Sequence, residues 1–154
     1  MSGWHFFSVY KTYLCAVGRI LAIDYGTKRT GLAVTDPLKI IPQPLETLST
    51  AGLLDFLIAY LKSEEVDCIV LGMPLYPDGN PAQIAHMVVG FERQLRKQFP
   101  GLEIVLWDER YSSEDAKVII RQSGARMKQR RDKGLVDRVA ASLILRDYLE
   151  SEVW

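Results

Sequence analysis

Apolar positions along this chain fall into short continuous runs and helical stripes, separated by proline, glycine and acid punctuation. Arg19 to Asp24, RILAID, is an apolar run ending on a carboxylate and reads as a buried strand. A glycine-bounded turn over Tyr25 to Thr30 leads into Gly31 to Thr35, which reads as its hairpin partner. Asp36-Pro37 and the prolines at 42 and 44 break the chain, and Leu45 to Leu48 predicts a third strand of a meander. Leu53, Leu54, Leu57, Ile58 and Leu61 keep helical spacing inside a helix predicted over Thr50 to Glu64. Cys68 to Gly72 is continuously apolar, the pattern of a parallel strand buried on both faces.

Asn80 followed by Pro81 predicts a helix N-cap and first position. Ile84, Met87, Val88, Phe91, Leu95 and Phe99 form that helix's stripe, and Pro100-Gly101 stops it. Ile104 to Trp107 predicts another buried strand, ending at Asp108-Glu109. Ser112 with Asp115 resembles a capping box opening a helix to about Gln122. Gly124 to Gly134 reads as a basic loop, and Val136, Val139, Ala140, Leu143, Ile144 and Tyr148 define a last helix. The order β-β-β-α-β-α-β-α-α predicts an α/β fold, a mixed sheet with helices on its faces.

The chain's 154 residues suffice for one compact domain, expected over residues 18–154. Residues 1–17, MSGWHFFSVYKTYLCAV, are aromatic and lack the basic start and cleavage site of a signal peptide. They read as an extension outside the domain: a tail, an added edge strand, or sequence upstream of a start at Val17. A chain beginning at Val17 is therefore expected to fold and act like the full chain. A large drop in melting temperature on truncation would show instead that the aromatic segment packs on the sheet.

A composition of 48% hydrophobic and 25% charged residues argues against disorder. Two cysteines, Cys15 and Cys68, give neither a disulfide framework nor zinc spacing, and Cys68 in CIVLG reads as core. A reducing, cytoplasmic setting is the expectation, with no membrane partner.

Basic and acidic residues balance at 19 each, so total charge points to no partner, but its distribution does. Arg121, Arg126, Lys128, Arg130, Arg131, Lys133 and Arg138 cluster, opposed only by Asp132 and Asp137. Such a patch is either a solvated loop or a surface for a polyanion.

Three acids stand in settings that point to chemistry. Asp24 ends a strand apolar enough to be buried, where a carboxylate is costly unless hydrogen-bonded, paired or bound to a cation. Its bland alternative is to accept backbone hydrogen bonds from its own turn. Asp108 and Glu109 follow IVLW on successive strand positions, so only one of them shares a face with Asp24, and periodicity leaves open which. Asp137 is expected in the first turn of the last helix, where it is either a dipole-capping acid or a site acid. Ala140-Ala141 in the next turn would let that helix approach the sheet closely. Three carboxylates gathered at strand and helix ends suit Mg²⁺ or Mn²⁺, which prefer oxygen ligands. Gly26 and Gly31 read as positive-φ turn residues or as positions that admit a phosphate backbone. His5 and His86 lack ligand spacing, and neither a GxSxG elbow nor a Walker A loop occurs.

The blocks RILAIDYGTKRTGLAVTD, VLGMPLYPDG, WDERYSSEDA and LVDRVAASLIL, in this order, resemble the YqgF family. That family, also called RuvX or pre-16S ribosomal RNA nucleases, lies within the ribonuclease H-like superfamily. The resemblance covers about residues 18 to 150. It implies a ribonuclease H-like mixed five-stranded sheet, its first three strands antiparallel, with helices on both faces. Carried over by position, it implies an acidic catalytic and metal site of Asp24, Glu109 and Asp137, with Asp108 and Ser113 beside it.

Ser113 stands where many members have threonine, keeping the hydroxyl, and Tyr111 replaces a common aliphatic residue. The chemistry implied is phosphodiester hydrolysis with two Mg²⁺ or Mn²⁺ ions. Asp24 would be shared between the metals, with Glu109 and Asp137 holding one each. Lys28, Arg29, Arg110, Lys128, Arg130, Arg131 and Lys133 are the expected nucleic-acid contacts. The expected partner is nucleic acid, with precursor ribosomal RNA favoured over a four-way DNA junction, in ribosomal precursor particles. A monomer is favoured over a dimer.

Two other classes compete. Asp-x-Gly-Thr before an apolar strand also resembles the first phosphate loop of the actin, hexokinase and Hsp70 superfamily. Those proteins close two related domains on the nucleotide, and this chain has room for one. A non-catalytic nucleic-acid-binding module acting in transcription is the second, and retention of all three acids favours an enzyme over it.

Overall fold

The computed structural model describes residues 18–74, 83–109 and 112–152, with residues 109 and 112–114 described by their backbone alone. The expectations placed on residues 1–17, on the Asn80-Pro81 cap, on Arg110 and on Tyr111 lie outside them. Five strands form one sheet: β1 (Arg19–Asp24), β2 (Arg29–Thr35), β3 (Pro42–Ser49), β4 (Val66–Pro74) and β5 (Glu103–Glu109), in the order β3-β2-β1-β4-β5. β1–β2 and β2–β3 pair antiparallel, while β1–β4 and β4–β5 pair parallel. Parallel neighbours need a crossover, supplied by α1 (Leu53–Ser63) before β4 and α2 (Ala85–Gln98) before β5. The prolines of β3 sit on an edge strand, where a missing donor costs least.

Alternation along the strands builds a core on each face. Leu21, Ile23, Leu32, Val34, Ile69, Leu71 and Ile104 face α1 and α2, meeting Leu53, Leu57, Val88, Phe91 and Leu95. Ile20, Ala22, Ala33, Cys68 and Val70 face the last helix, α5 (Lys133–Glu152), meeting Ala141, Ile144, Leu145 and Tyr148. Cys68 is buried in this core, as its apolar run implies, and burial pushes its thiol up to about 11. Between β5 and α5 lie α3 (Ser112–Gln122) and the single-turn α4 (Met127–Arg130). Ala116 of α3 packs on Ala140 and Leu143, so α5 is sandwiched between the sheet and α3. Among the described residues no helix is long and apolar enough to cross a membrane.

Several boundaries differ from the sequence expectation. β3 runs Pro42–Ser49 rather than Leu45 to Leu48, so the prolines at 42 and 44 lie in the strand instead of breaking the chain before it; β2 starts at Arg29 and β4 spans Val66–Pro74, both longer than expected. Thr50–Gly52 is a 3₁₀ turn rather than the first turn of α1, because Gly52 weakens the helix there. α2 starts at Ala85, with Gln83 and Ile84 still in a turn. The basic loop is shorter than expected: it contains α4, and α5 already begins at Lys133. The cap of α5 is Asp132, whose Oδ1 accepts the backbone N–H groups of Gly134 (2.9 Å) and Leu135 (3.3 Å). Asp137 therefore lies past the first turn and is not the capping acid, so the bland reading of that residue fails.

Candidate active site

β1, β4 and β5 run parallel, so their C-terminal ends open on the same end of the sheet. Asp24 closes β1 there and Glu109 closes β5. The register decides the question that periodicity left open. Ala22 is opposite Val70, and Val70 is opposite Val105. Neighbours across a sheet share a face and side chains alternate along each strand. Asp24, two residues after Ala22, and Glu109, four after Val105, therefore occupy positions on the α5 face. Asp108 has the parity of Leu106 and belongs to the α1/α2 face, where it is exposed.

Asp137 reaches this end through a row across the sheet. Asp24 pairs with Gly31 and Gly31 pairs with Thr47, all three on the α5 face. The N-terminal half of α5 lies along that row. Thr47 Oγ1 donates to the Gly134 carbonyl at 2.6 Å and accepts from Arg138 Nη1 at 3.3 Å. Three residues further on, the backbone of Asp137 rests on Gly31, where a Cβ would collide with its carbonyl oxygen and with the Arg138 nitrogen. Three helical residues advance ~4.5 Å, close to the ~4.8 Å between strands, so each turn of α5 meets the next strand. Ala141 then meets Ala22 in the same core, and Tyr148 meets Trp107 of β5 edge-on at 5.5 Å. Crossing the sheet this way delivers Asp137 to the strand beside Asp24.

The turn between β1 and β2 is pinned rather than loose. Thr50 Oγ1 lies 2.9 Å from the buried Thr30 Oγ1 and donates to the Gly26 carbonyl at 2.6 Å. The Thr50 backbone N–H also donates to the Lys28 carbonyl at 3.0 Å. Tyr25 packs on Phe91, ring centroids 5.2 Å apart. These contacts fix Asp24, Lys28 and Arg29 relative to the sheet. Gly26 and Gly31 have no positive φ; among the described glycines only Gly124 does. Both are needed for close approach by protein backbone instead: at Gly26 a Cβ would strike the Arg29 carbonyl.

The cationic residues divide by what they touch. Arg29 Nε donates to Asp137 Oδ2 at 2.9 Å, tying one expected phosphate ligand to a site acid. Lys28 is exposed on the turn beside it. Lys128 and Arg130 on α4, Arg131 just after it and Lys133 at the start of α5 are all exposed. Arg130 Nε donates to the Ala125 carbonyl at 2.7 Å, which holds the arm's own shape. Arg138, on Thr47, fastens α5 to β3. Ser113 lies at the start of α3, one residue into that helix.

Asp24 and Asp137, both half-buried, offer hard anionic oxygens at one sheet end, a donor chemistry that fits Mg²⁺ or Mn²⁺ and not a thiophilic metal. The described residues by themselves contain no group of three His, Cys, Asp or Glu able to hold a metal. The third acid of the set, Glu109, is placed by its backbone alone.

Sequence reasoning missed three parts of this arrangement. Gly31 as the seat of α5, Thr47 as its anchor, and the Thr30–Thr50 clamp all depend on which strands become neighbours. The cap residue Asp132 was legible, since an Asp before a helical stripe is an N-cap signal.

A mixed five-stranded sheet with carboxylates at the ends of β1 and β5 and on the helix crossing it defines a ribonuclease H-like nuclease domain. The model of the RuvX family, described as Holliday junction resolvase, matches residues 18–151, and the chain belongs to that family. It is 47% identical over 135 residues to a protein of Porphyromonas gingivalis, covering 88% of this chain and 98% of that one. It is 42% identical over 134 residues to one of Flavobacterium johnsoniae, covering 87% and 97%. Both carry the name "Putative pre-16S rRNA nuclease". Among solved structures, Thermus thermophilus RuvC in complex with Holliday junction substrate shares the fold, with a TM-score of 0.52 at 16% identity over 88% of this chain and 96% of that one.

Proposed function

We propose that this chain is a metal-dependent nuclease that hydrolyses phosphodiester bonds at the 5′ end of precursor 16S ribosomal RNA during ribosome biogenesis. The observation that carries the reading is the seating of Asp137 on Gly31, in the row that ends at Asp24. It brings acids from two distant motifs to one sheet end, and the register adds Glu109 on the same face. Residues 18–154 act as the single nuclease domain, with residues 1–17 as an extension outside it. A cytoplasmic monomer is part of this reading.

Asp24, Glu109 and Asp137 are the residues that would hold Mg²⁺ or Mn²⁺, two ions in all. Bound there, the metal supplies a water of lowered pKa and neutralises charge at the scissile phosphate. The chain's own residues do the rest. The pinned turn holds Lys28 and Arg29 at the rim, where their charges meet a phosphodiester. Arg110 follows Glu109 directly in sequence and joins them as a phosphate contact. Ser113, the second residue of α3 and close by in sequence, is the hydroxyl this reading assigns to support Glu109. Asp108, on the opposite sheet face, is assigned no contact with the substrate. The arm carrying Lys128, Arg130, Arg131 and Lys133 tracks the backbone of a single strand, positioning the substrate without reading its sequence.

RNA is favoured over a branched DNA substrate because the relatives at 42% and 47% identity carry the rRNA name. The junction-bound neighbour shares the fold at 16% identity. The deciding experiment incubates the purified chain and Mg²⁺ or Mn²⁺ with pre-16S RNA and a four-way junction in parallel. Trimming of the RNA is expected; paired symmetric nicks in the junction, with the RNA intact, would reverse the assignment. Neutralising Lys128, Arg130 and Arg131 together is expected to flatten the salt dependence of RNA binding. The loss should be about two to three units of log–log slope, at ~0.7 to 0.9 per phosphate contact. An unchanged slope would remove the arm from the binding surface.

A further inference from the structure

The Arg29–Asp137 ion pair occupies an oxygen that the proposed site needs for metal. Arg29 lies two residues before Gly31 on β2, on the same face, and its Nε donates to Asp137 Oδ2 at 2.9 Å. The arginine side chain is 46% exposed and that of Asp137 only 20%, so the guanidinium has a path to solvent while the carboxylate stays where α5 holds it. A carboxylate oxygen that accepts from a guanidinium cannot also give the same lone pairs to a divalent ion, and two cations on one carboxylate repel. A phosphodiester is the competing acceptor that fits, because the guanidinium fork binds phosphate as well as carboxylate.

We propose that Arg29 is a positioning residue that exchanges between Asp137 and a substrate phosphate, so that filling of the metal site and binding of nucleic acid are coupled. This rests on Asp24, Glu109 and Asp137 being the metal ligands. Without nucleic acid, Arg29 holds Asp137 in place and weakens the site's hold on a divalent ion. A bound phosphate draws the guanidinium away and frees Asp137 Oδ2. Linkage makes the effect reciprocal: whatever factor nucleic acid adds to metal affinity, metal adds to nucleic-acid affinity.

The test is calorimetric titration of Mn²⁺ into the wild-type chain, R29Q, R29M and D137N, without nucleic acid. Pre-16S RNA binding is then followed by anisotropy in EDTA. R29Q is expected to bind Mn²⁺ about two- to fivefold more tightly than wild type, the range an ion pair at a partly exposed site gives. It is expected to bind RNA more weakly, with a salt slope lower by roughly 0.7, one phosphate contact. R29M keeps the apolar stem and is expected to behave the same way, which covers the case in which R29Q does not fold. A purely structural role predicts the opposite sign, since a loosened Asp137 would bind metal less well. Mn²⁺ affinity equal to or below wild type in a folded Arg29 variant overturns the proposal. If D137N binds Mn²⁺ like wild type, the acidic-site reading itself fails, and with it this inference. If D137N loses Mn²⁺ while R29Q matches wild type, only the role of Arg29 is lost.

Discussion

Asp24→Asn, Glu109→Gln and Asp137→Asn are each expected to cut RNA cleavage by at least ~10²-fold, the usual cost of losing one preorganised electrostatic stabiliser. Each is expected to fold. The amides are close in shape to the acids they replace, and the site lies at the sheet end rather than within either hydrophobic cluster. On the proposed convergence of the three acids, removing one relieves repulsion, so each variant is expected to keep its fold without metal. Asp137→Asn also weakens the 2.9 Å contact with Arg29, which opposes that relief. The measurement is single-turnover cleavage of pre-16S RNA alongside thermal melts in EDTA. Full activity in any one variant would take that residue out of the site. Loss of activity with loss of fold in all three would move the acids from chemistry to structure.

Much of this arrangement was legible before any coordinates. β1 is the clearest case, because RILAID is apolar, free of breakers and closed by an acid, and the strand found has the same bounds, Arg19–Asp24. α3 also keeps its expected start at Ser112 and end at Gln122. What the sequence could not settle was relational. Asp108 and Glu109 are equivalent in a one-dimensional pattern, and only the register from β1 through β4 to β5 separates them. Family resemblance pointed to Glu109 as a ligand; the backbone register shows that its position, and not that of Asp108, shares a sheet face with Asp24.

The glycines show the same limit from the other side. Glycine's freedom at positive φ is a local property and so was the natural reading of Gly26 and Gly31. Neither uses it. Each is required by a backbone segment that comes against it, one from three positions along in the same turn and one from more than a hundred residues away. Likewise the basic segment looked like a loop because its charges mask a short helix, and because the strongest start signal for α5, Asp132, is itself its one acid.

Gly31→Ala is therefore expected to be damaging out of proportion to its size. The added methyl would meet the carbonyl oxygen and carbon of Asp137 and the nitrogen of Arg138, all backbone atoms of a helix that cannot rotate a side chain out of the way. α5 must lift or slide. It is held at one end by Thr47 on Gly134 and along its length by Ala141, Ile144, Leu145 and Tyr148 in the sheet's second core, so lifting it opens that packing. Forcing a methyl into a filled contact costs about 1–3 kcal/mol, which for a domain of this size lowers Tm by roughly 2–4 °C per kcal/mol. The cost in activity should be larger. Asp137 rides on the segment that moves, and a ~1 Å misplacement near a reacting centre can cost ~10²-fold. Gly90→Ala is the matching control, because a Cβ there meets nothing within 4 Å and Gly90 lies inside α2. That change should hold or raise Tm and leave cleavage untouched. Thermal melts and single-turnover rates on the two variants decide the matter. Wild-type stability and rate in Gly31→Ala would mean that α5 does not rest on β2 at this point, and the placement of Asp137 beside Asp24 would fall with it.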